Sequence, residues 1–173
     1  MSTKNSQKGF TLIEMLLVVL LLALTIGLTG DMLLSLIRSN TKTQVMNEIE
    51  QQANFVTLKL EKELRDALDA NISNGGNTLT IKLRSNSDVT YNLNGNILRR
   101  SVRIPLSYVN LTSSASPGGV AVSCTGGCFQ ITGTDPKVVR TNMIFRQAQA
   151  GAGTTYRGEV KIESSIVIRS SYQ

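Results

Sequence analysis

One carboxylate stands where a charge is hard to keep. Between Phe10 and Gly30 the chain is almost wholly apolar, and Glu14 is its only charged residue. An ionised side chain in hydrocarbon costs about 3 kcal/mol or more, and it is best tolerated beside a cation. Chemistry elsewhere is sparse. The two cysteines, Cys124 and Cys128, enclose Thr-Gly-Gly. A close pair in an otherwise cysteine-free chain suits an oxidising compartment and a disulfide. Free thiols and a metal site are the alternatives, and a metal would need further ligands. The chain has no histidine, which excludes histidine triads and histidine-ligated metals. There is no P-loop and no dinucleotide glycine pattern. We expect no enzyme, no cofactor and no metal.

The elements around Glu14 set its surroundings. Phe10–Gly30 forms a helix of about 31 Å, close to the thickness of a bilayer core. Lys4 and Lys8 precede it and should stay cytoplasmic, so the rest of the chain should lie outside the cytoplasm. An ordinary cleaved signal would carry a small-residue site after its apolar core. The sequence there, Thr25 to Met32, has none, and Met32, Leu33, Leu34, Leu36 and Ile37 carry the apolar pattern further.

The stretch KGFTLIEMLLVV, Lys8 to Val19, resembles the processing signal of type IV pilins and type II secretion pseudopilins. A basic residue and glycine (Lys8, Gly9) precede an aromatic (Phe10), then Thr11–Glu14, then the apolar run. The resemblance implies cleavage between Gly9 and Phe10 by a prepilin peptidase on the cytoplasmic face, and methylation of the new Phe10 amine. That amine would be a cation one turn from Glu14 on the same helix face. In the family this glutamate pairs with the amine of a neighbouring subunit and sets axial register. A plainer reading has Glu14 neutralise its own N-terminus or snorkel to the interface. Gly27 and Gly30 weaken the helix by about 1 kcal/mol each. They mark either a soft point, as in filaments of the family, or a close packing contact.

From Asp31 to about Ala70 the periodicity is helical. Val45, Ile49, Ala53, Val56, Leu60, Leu64 and Leu68 form one apolar stripe. Glu61, Lys62, Glu63, Arg65, Asp66 and Asp69 read as part of a solvated face, with Glu61–Arg65 and Lys62–Asp66 spaced as i,i+4 pairs. Asn71–Asn77 should end the helix. The period then becomes two. Thr78–Ile104 reads as a three-stranded antiparallel meander turning at Asn94-Gly95. Short strands should flank the cysteines, which would staple a hairpin tip, and Val138–Arg146 and Glu159–Arg169 should be strands. The expectation is α+β: a long helix whose outer half packs on an antiparallel sheet. Residues 1–9 would be a leader, 10–30 a membrane or filament-core helix, 31–70 an amphipathic helix and 71–173 a β-rich head.

The second half resembles, more diffusely, the J-class minor pseudopilins and W-class minor pilins, through LEKELRDAL, TLTIKL and VTYNLNGNILRR. Arg99, Arg100 and Arg103 could contact phosphate; an exposed, edge-protecting face is the plainer alternative, and no aromatic platform supports nucleic-acid binding. The resemblance implies a structural filament subunit serving pilus assembly, secretion or DNA uptake. Its partners would be other pilin or pseudopilin subunits, the peptidase, inner-membrane assembly machinery and membrane lipid. It would lie in the inner membrane, N-terminus cytoplasmic, before joining a filament. The alternative is a monomeric, membrane-tethered binding domain that is never processed.

Overall fold

The computed structural model describes residues 9–85, 87–102, 107–113, 119–148 and 158–168. The chain divides into two compact units, Met1–Thr41 and Lys42–Gln173. One helix, α1 (Leu12–Arg65), contributes to both. In the first unit it is bare. Every large apolar side chain from Phe10 to Ile37 is exposed, including Leu12 at 84% and Leu28 at 72%. The helix continues through Gly27 and Gly30, and nothing lies within 4 Å of where a Cβ would stand on either. Thr29 Oγ donates to the carbonyl of Thr25 at 2.8 Å, which satisfies a hydroxyl inside the apolar run.

In the second unit α1 is half-covered. Ile49, Ala53, Val56, Leu60 and Leu64 are buried, as their spacing predicts. Phe55 and Leu58 are apolar but remain exposed, at 53% and 66%, because they lie on the opposite side of the helix. The helix closes at Arg65, short of the expected Ala70, and β1 (Ala67–Ser73) replaces its last turn. Leu68 therefore leaves the stripe and is 42% exposed. Local chemistry explains the switch. Asp69 Oδ1 accepts the N–H of Ala70, and Asn71 Oδ1 accepts that of Ile72, both at 2.8 Å. Such bonds compete with helical ones, and the ladder to the next strand supplies the rest.

β1 opens a five-stranded antiparallel meander with β2 (Thr78–Leu83), β3 (Asp88–Asn94), β4 (Ile97–Val102) and β5 (Ser107–Asn110). The expected three strands are β2 to β4. Asn71–Asn77, expected to end the helix, instead holds the end of β1 and its tight turn, Asn74–Gly76, whose residues all have positive φ. A second sheet holds β6 (Val120–Ser123), β7 (Phe129–Thr132), β8 (Val138–Gln147) and β9 (Glu159–Val167). Arg169, expected to end the last strand, lies outside the described residues. Buried residues of α1 and both sheets, among them Leu79, Tyr91, Leu98, Val122, Phe129, Phe145 and Ile166, form one apolar cluster.

The cysteines are joined as expected, but not at a hairpin tip. Cys124 and Cys128 form a disulfide with a Cα–Cα distance of 5.0 Å. β6 and β7 do not pair with each other. β6 pairs with Ile144–Gln147 of β8, and β7 with Val138–Thr141. β9 lies on the other side of β8 along most of its length. β6 and β7 are thus one edge strand interrupted by the disulfide loop. Its tip packs backbone to backbone on the β1–β2 turn. A Cβ on Gly127 (φ +98) would lie 2.6 Å from the Gly75 carbonyl oxygen and 3.0 Å from Gly76 Cα. At Gly126 (φ +76) the space is open. Both substitutions to alanine incur left-handed strain of about 1–2 kcal/mol, and only Gly127→Ala adds the clash. We expect Gly127→Ala to lower thermal stability by at least about 1 kcal/mol more than Gly126→Ala; equal melting temperatures would show that the two turns do not need their contact.

Candidate assembly site

The N-terminus of α1 is organised by Thr11 and Glu14. Glu14 Oε2 accepts the backbone N–H of Thr11 at 3.1 Å and its hydroxyl at 3.0 Å. In return the N–H of Glu14 donates to Thr11 Oγ at 3.3 Å. This reciprocal pair is a capping box, and it satisfies donors the first helical turn would leave open. The carboxylate also sits where the helix dipole favours negative charge. The signal is present in the sequence as Thr-x-x-Glu, although the membrane cost of Glu14 masks it. Glu14 is exposed, as are Gly9 and Phe10, the latter at 79%. Gly9 lies ahead of the first residue of α1. Lys4 and Lys8 lie outside the described residues.

At the other end of α1 a polar cluster joins helix to sheet. Glu63 Oε2 accepts the Tyr91 hydroxyl at 2.6 Å. Its Oε1 accepts Nε of Arg100 at 2.9 Å and a terminal nitrogen of that guanidinium at 2.7 Å. Side-chain exposure is 14% for Glu63 and 21% for Arg100. The sequence pattern places Glu63 on the solvated face. It instead lies two turns after Val56, on the flank of the buried stripe, where Tyr91 and Arg100 are register partners across β3 and β4. Burial pushes the Tyr91 phenol well above its ordinary range, and its bond to Glu63 adds to this. Burial alone would lower Arg100; the bond and charge of Glu63 outweigh it and hold the guanidinium above its usual value.

This placement separates the arginines. Arg99 and Arg100 are neighbours in β4, so their side chains take opposite faces. Arg100 is spent on Glu63, while Arg99 keeps a buried Nε without a hydrogen-bond partner among the described residues. Arg103 lies outside the described residues. Arg99 and Arg100 therefore do not share one basic patch. Glu61 and Arg65 do approach, at 3.8 Å, whereas Asp66 falls in the turn after the helix.

Asp69, expected to be solvated, pairs across the two sheets with Lys137 at 2.6 Å. That bond, opposed by some burial, holds its carboxyl below its ordinary 3.8. The native value is depressed, so the contribution is full above the ordinary carboxylate range and is lost as pH falls through the native value. Both side chains are partly exposed, so it amounts to about 0.5 kcal/mol at most. Lys137→Met should return the Asp69 midpoint toward 3.8 in a carboxyl NMR titration; an unchanged midpoint would show that the pair does not form in solution.

By length and composition α1 can cross a membrane. The prokaryotic N-terminal methylation motif matches residues 4–30. Neither the curated proteins nor the solved structures compared with the chain gave a match. The motif covers the capping box, Gly9, Phe10 and the first part of the bare apolar stretch of α1, and the part of α1 from Ile49 to Leu64 packs on antiparallel sheets. Motif, helix and α+β head together support the type IV pilin and pseudopilin superfamily, and point to a structural, prepilin-like subunit rather than an enzyme.

Proposed function

We propose that the chain is a minor pilin or pseudopilin, made as a membrane-anchored precursor and cleaved between Gly9 and Phe10 by a prepilin peptidase. Phe10 then carries a methylated amine. Residues 1–9 are the leader, 10–30 hold the protein in the inner membrane, and the head lies outside the cytoplasm. On assembly, lipid around α1 is replaced by helices of neighbouring subunits, and Glu14 meets the Phe10 amine of one of them. The inner-membrane assembly machinery drives that transfer. The filament serves pilus extension, protein secretion or DNA uptake; the diffuse likeness to the J-class and W-class minor subunits favours the first two.

The observation that carries this reading is the methylation motif lying on a helix whose large apolar side chains, Leu12 to Ile37, are all uncovered. A patch of that size needs lipid or protein over it. Phe55 and Leu58 extend the demand to the face of α1 that the head leaves open. Intact mass tests the reading. In a host with a prepilin peptidase, the mature chain should lack Met1–Gly9 and begin at a methylated Phe10. A full-length product there would instead support an unprocessed, membrane-tethered domain.

A further inference from the structure

Two tripeptides, Asn71-Ile72-Ser73 and Asn110-Leu111-Thr112, have the Asn-x-Ser/Thr form that accepts a saccharide on the asparagine amide. Transfer needs an accessible amide nitrogen and a free hydroxyl two residues later, on exported chain. The fold treats the two differently. Thr112 is 2% exposed, and its hydroxyl accepts the N–H of Leu98 at 3.0 Å. That hydroxyl is part of the folded structure and is withdrawn from any enzyme. Asn71 and Ser73 are both exposed. They end β1, an edge strand that pairs only with β2 among the described strands, just before the Asn74–Gly76 turn.

The amide of Asn71 is also oriented. Its Oδ1 accepts the N–H of Ile72 at 2.8 Å. An N–H must meet the oxygen, so Nδ2 is the end left for chemistry. Asp69, Asn71 and Ser73 alternate along one face of β1, which places a carboxylate, the acceptor amide and the hydroxyl in one row.

We propose that Asn71 is an N-glycosylation site, with a polyprenyl-diphosphate-linked saccharide as donor. Nδ2 attacks the anomeric carbon, forming the C–N bond. The bond from that carbon to the diphosphate oxygen breaks, its electron pair leaves with the polyprenyl diphosphate, and one amide proton passes to a base of the transferase. Nothing is oxidised or reduced. The Oδ1 bond to Ile72 survives, because the new link is on nitrogen. The saccharide then covers the free edge of β1 and the mouth of the cavity of about 570 Å³ between β1 and β7, lined by Ala70, Ile72, Phe129 and Ile131. A covered edge cannot recruit another strand.

The inference rests on the exported head of the proposed function, and the experiment separates the two. The full chain is produced in a bacterial host that carries a prepilin peptidase, an oligosaccharyltransferase and its lipid-linked donor, and that modifies an exported reference protein. Peptide Asp66–Lys82 and the N-terminus are read by mass spectrometry. The expected result is a saccharide on that peptide and a processed N-terminus. Asn71→Gln and Ser73→Ala should abolish the modification, Ser73→Thr should retain it, and Asn110→Gln should leave it unchanged. Circular dichroism melting of each variant, measured alongside, confirms that it folds. A processed but unmodified wild-type chain overturns the glycosylation and leaves the filament reading standing. A chain neither processed nor modified overturns both.

Discussion

Replacing Glu14 with leucine is expected to leave the protein in the membrane and to remove it from the filament. Glu14 has two jobs that can be told apart. It closes the capping box with Thr11, and under the proposed function it supplies the anion for a neighbour's N-terminal amine. The Glu14→Leu variant would lose both. A Glu14→Gln variant keeps the cap, since glutamine serves the same position in a capping box, but carries no charge. Once the surrounding helices have displaced lipid, an amine left without its partner costs about 3 kcal/mol or more, a factor of roughly one hundred in the assembly equilibrium. We expect both variants to be processed and retained in membranes, and both to fall by about that factor in sheared filaments. If Glu14→Gln assembles like the wild type, the carboxylate is there for the cap, and register is set elsewhere.

The second large effect is expected in the head. Glu63→Leu removes the acceptor for both Tyr91 and Arg100 while leaving them mostly enclosed. The stranded guanidinium is the main penalty, so the loss should be about 3 kcal/mol, with Tyr91 adding up to about 1 kcal/mol. For a unit of this size that lowers the melting temperature by roughly 10 °C. Adding Arg100→Met removes the stranded charge, and the double variant should recover more than half of the loss. Circular dichroism of the full-length chain in detergent reads both. A Glu63→Leu protein that melts within a degree or two of wild type would mean that the cluster is solvated and contributes nothing.

Glu63 also shows how far the sequence could be read. The buried stripe was legible because Ile49, Ala53, Val56, Leu60 and Leu64 repeat at helical spacing, and β2 to β4 were legible because Leu79, Ile81, Val89 and Tyr91 alternate. The lysines, Gly9, Phe10 and the apolar run were equally plain as a pattern. Glu63 was not, because a charge on the flank of a stripe looks the same whether it faces water or an arginine contributed by a strand far along the chain. β1 was hidden for a related reason. Ala67 and Leu68 continue the helical period, and the Asp69 and Asn71 side-chain bonds turn that segment extended only together with pairing to Leu83 and its neighbours. The disulfide followed from cysteine spacing, whereas its setting required knowing that β6 and β7 share a partner. The capping box is present as Thr-x-x-Glu in residues 11–14, and it was masked because a carboxylate in an apolar run reads first as a membrane cost.

The interrupted edge strand has a consequence for how this protein can change. The chain leaves β8 opposite Ile144 and rejoins it opposite Thr141, and the bond between Cys124 and Cys128 closes the excursion at its base. Residues added or exchanged beside Thr125 would lengthen a sealed ring without sliding either strand in its register. Gly127, held against the neighbouring turn, is the one fixed point within it. A lineage could therefore redraw this patch of the head's surface while the interior stayed as it was.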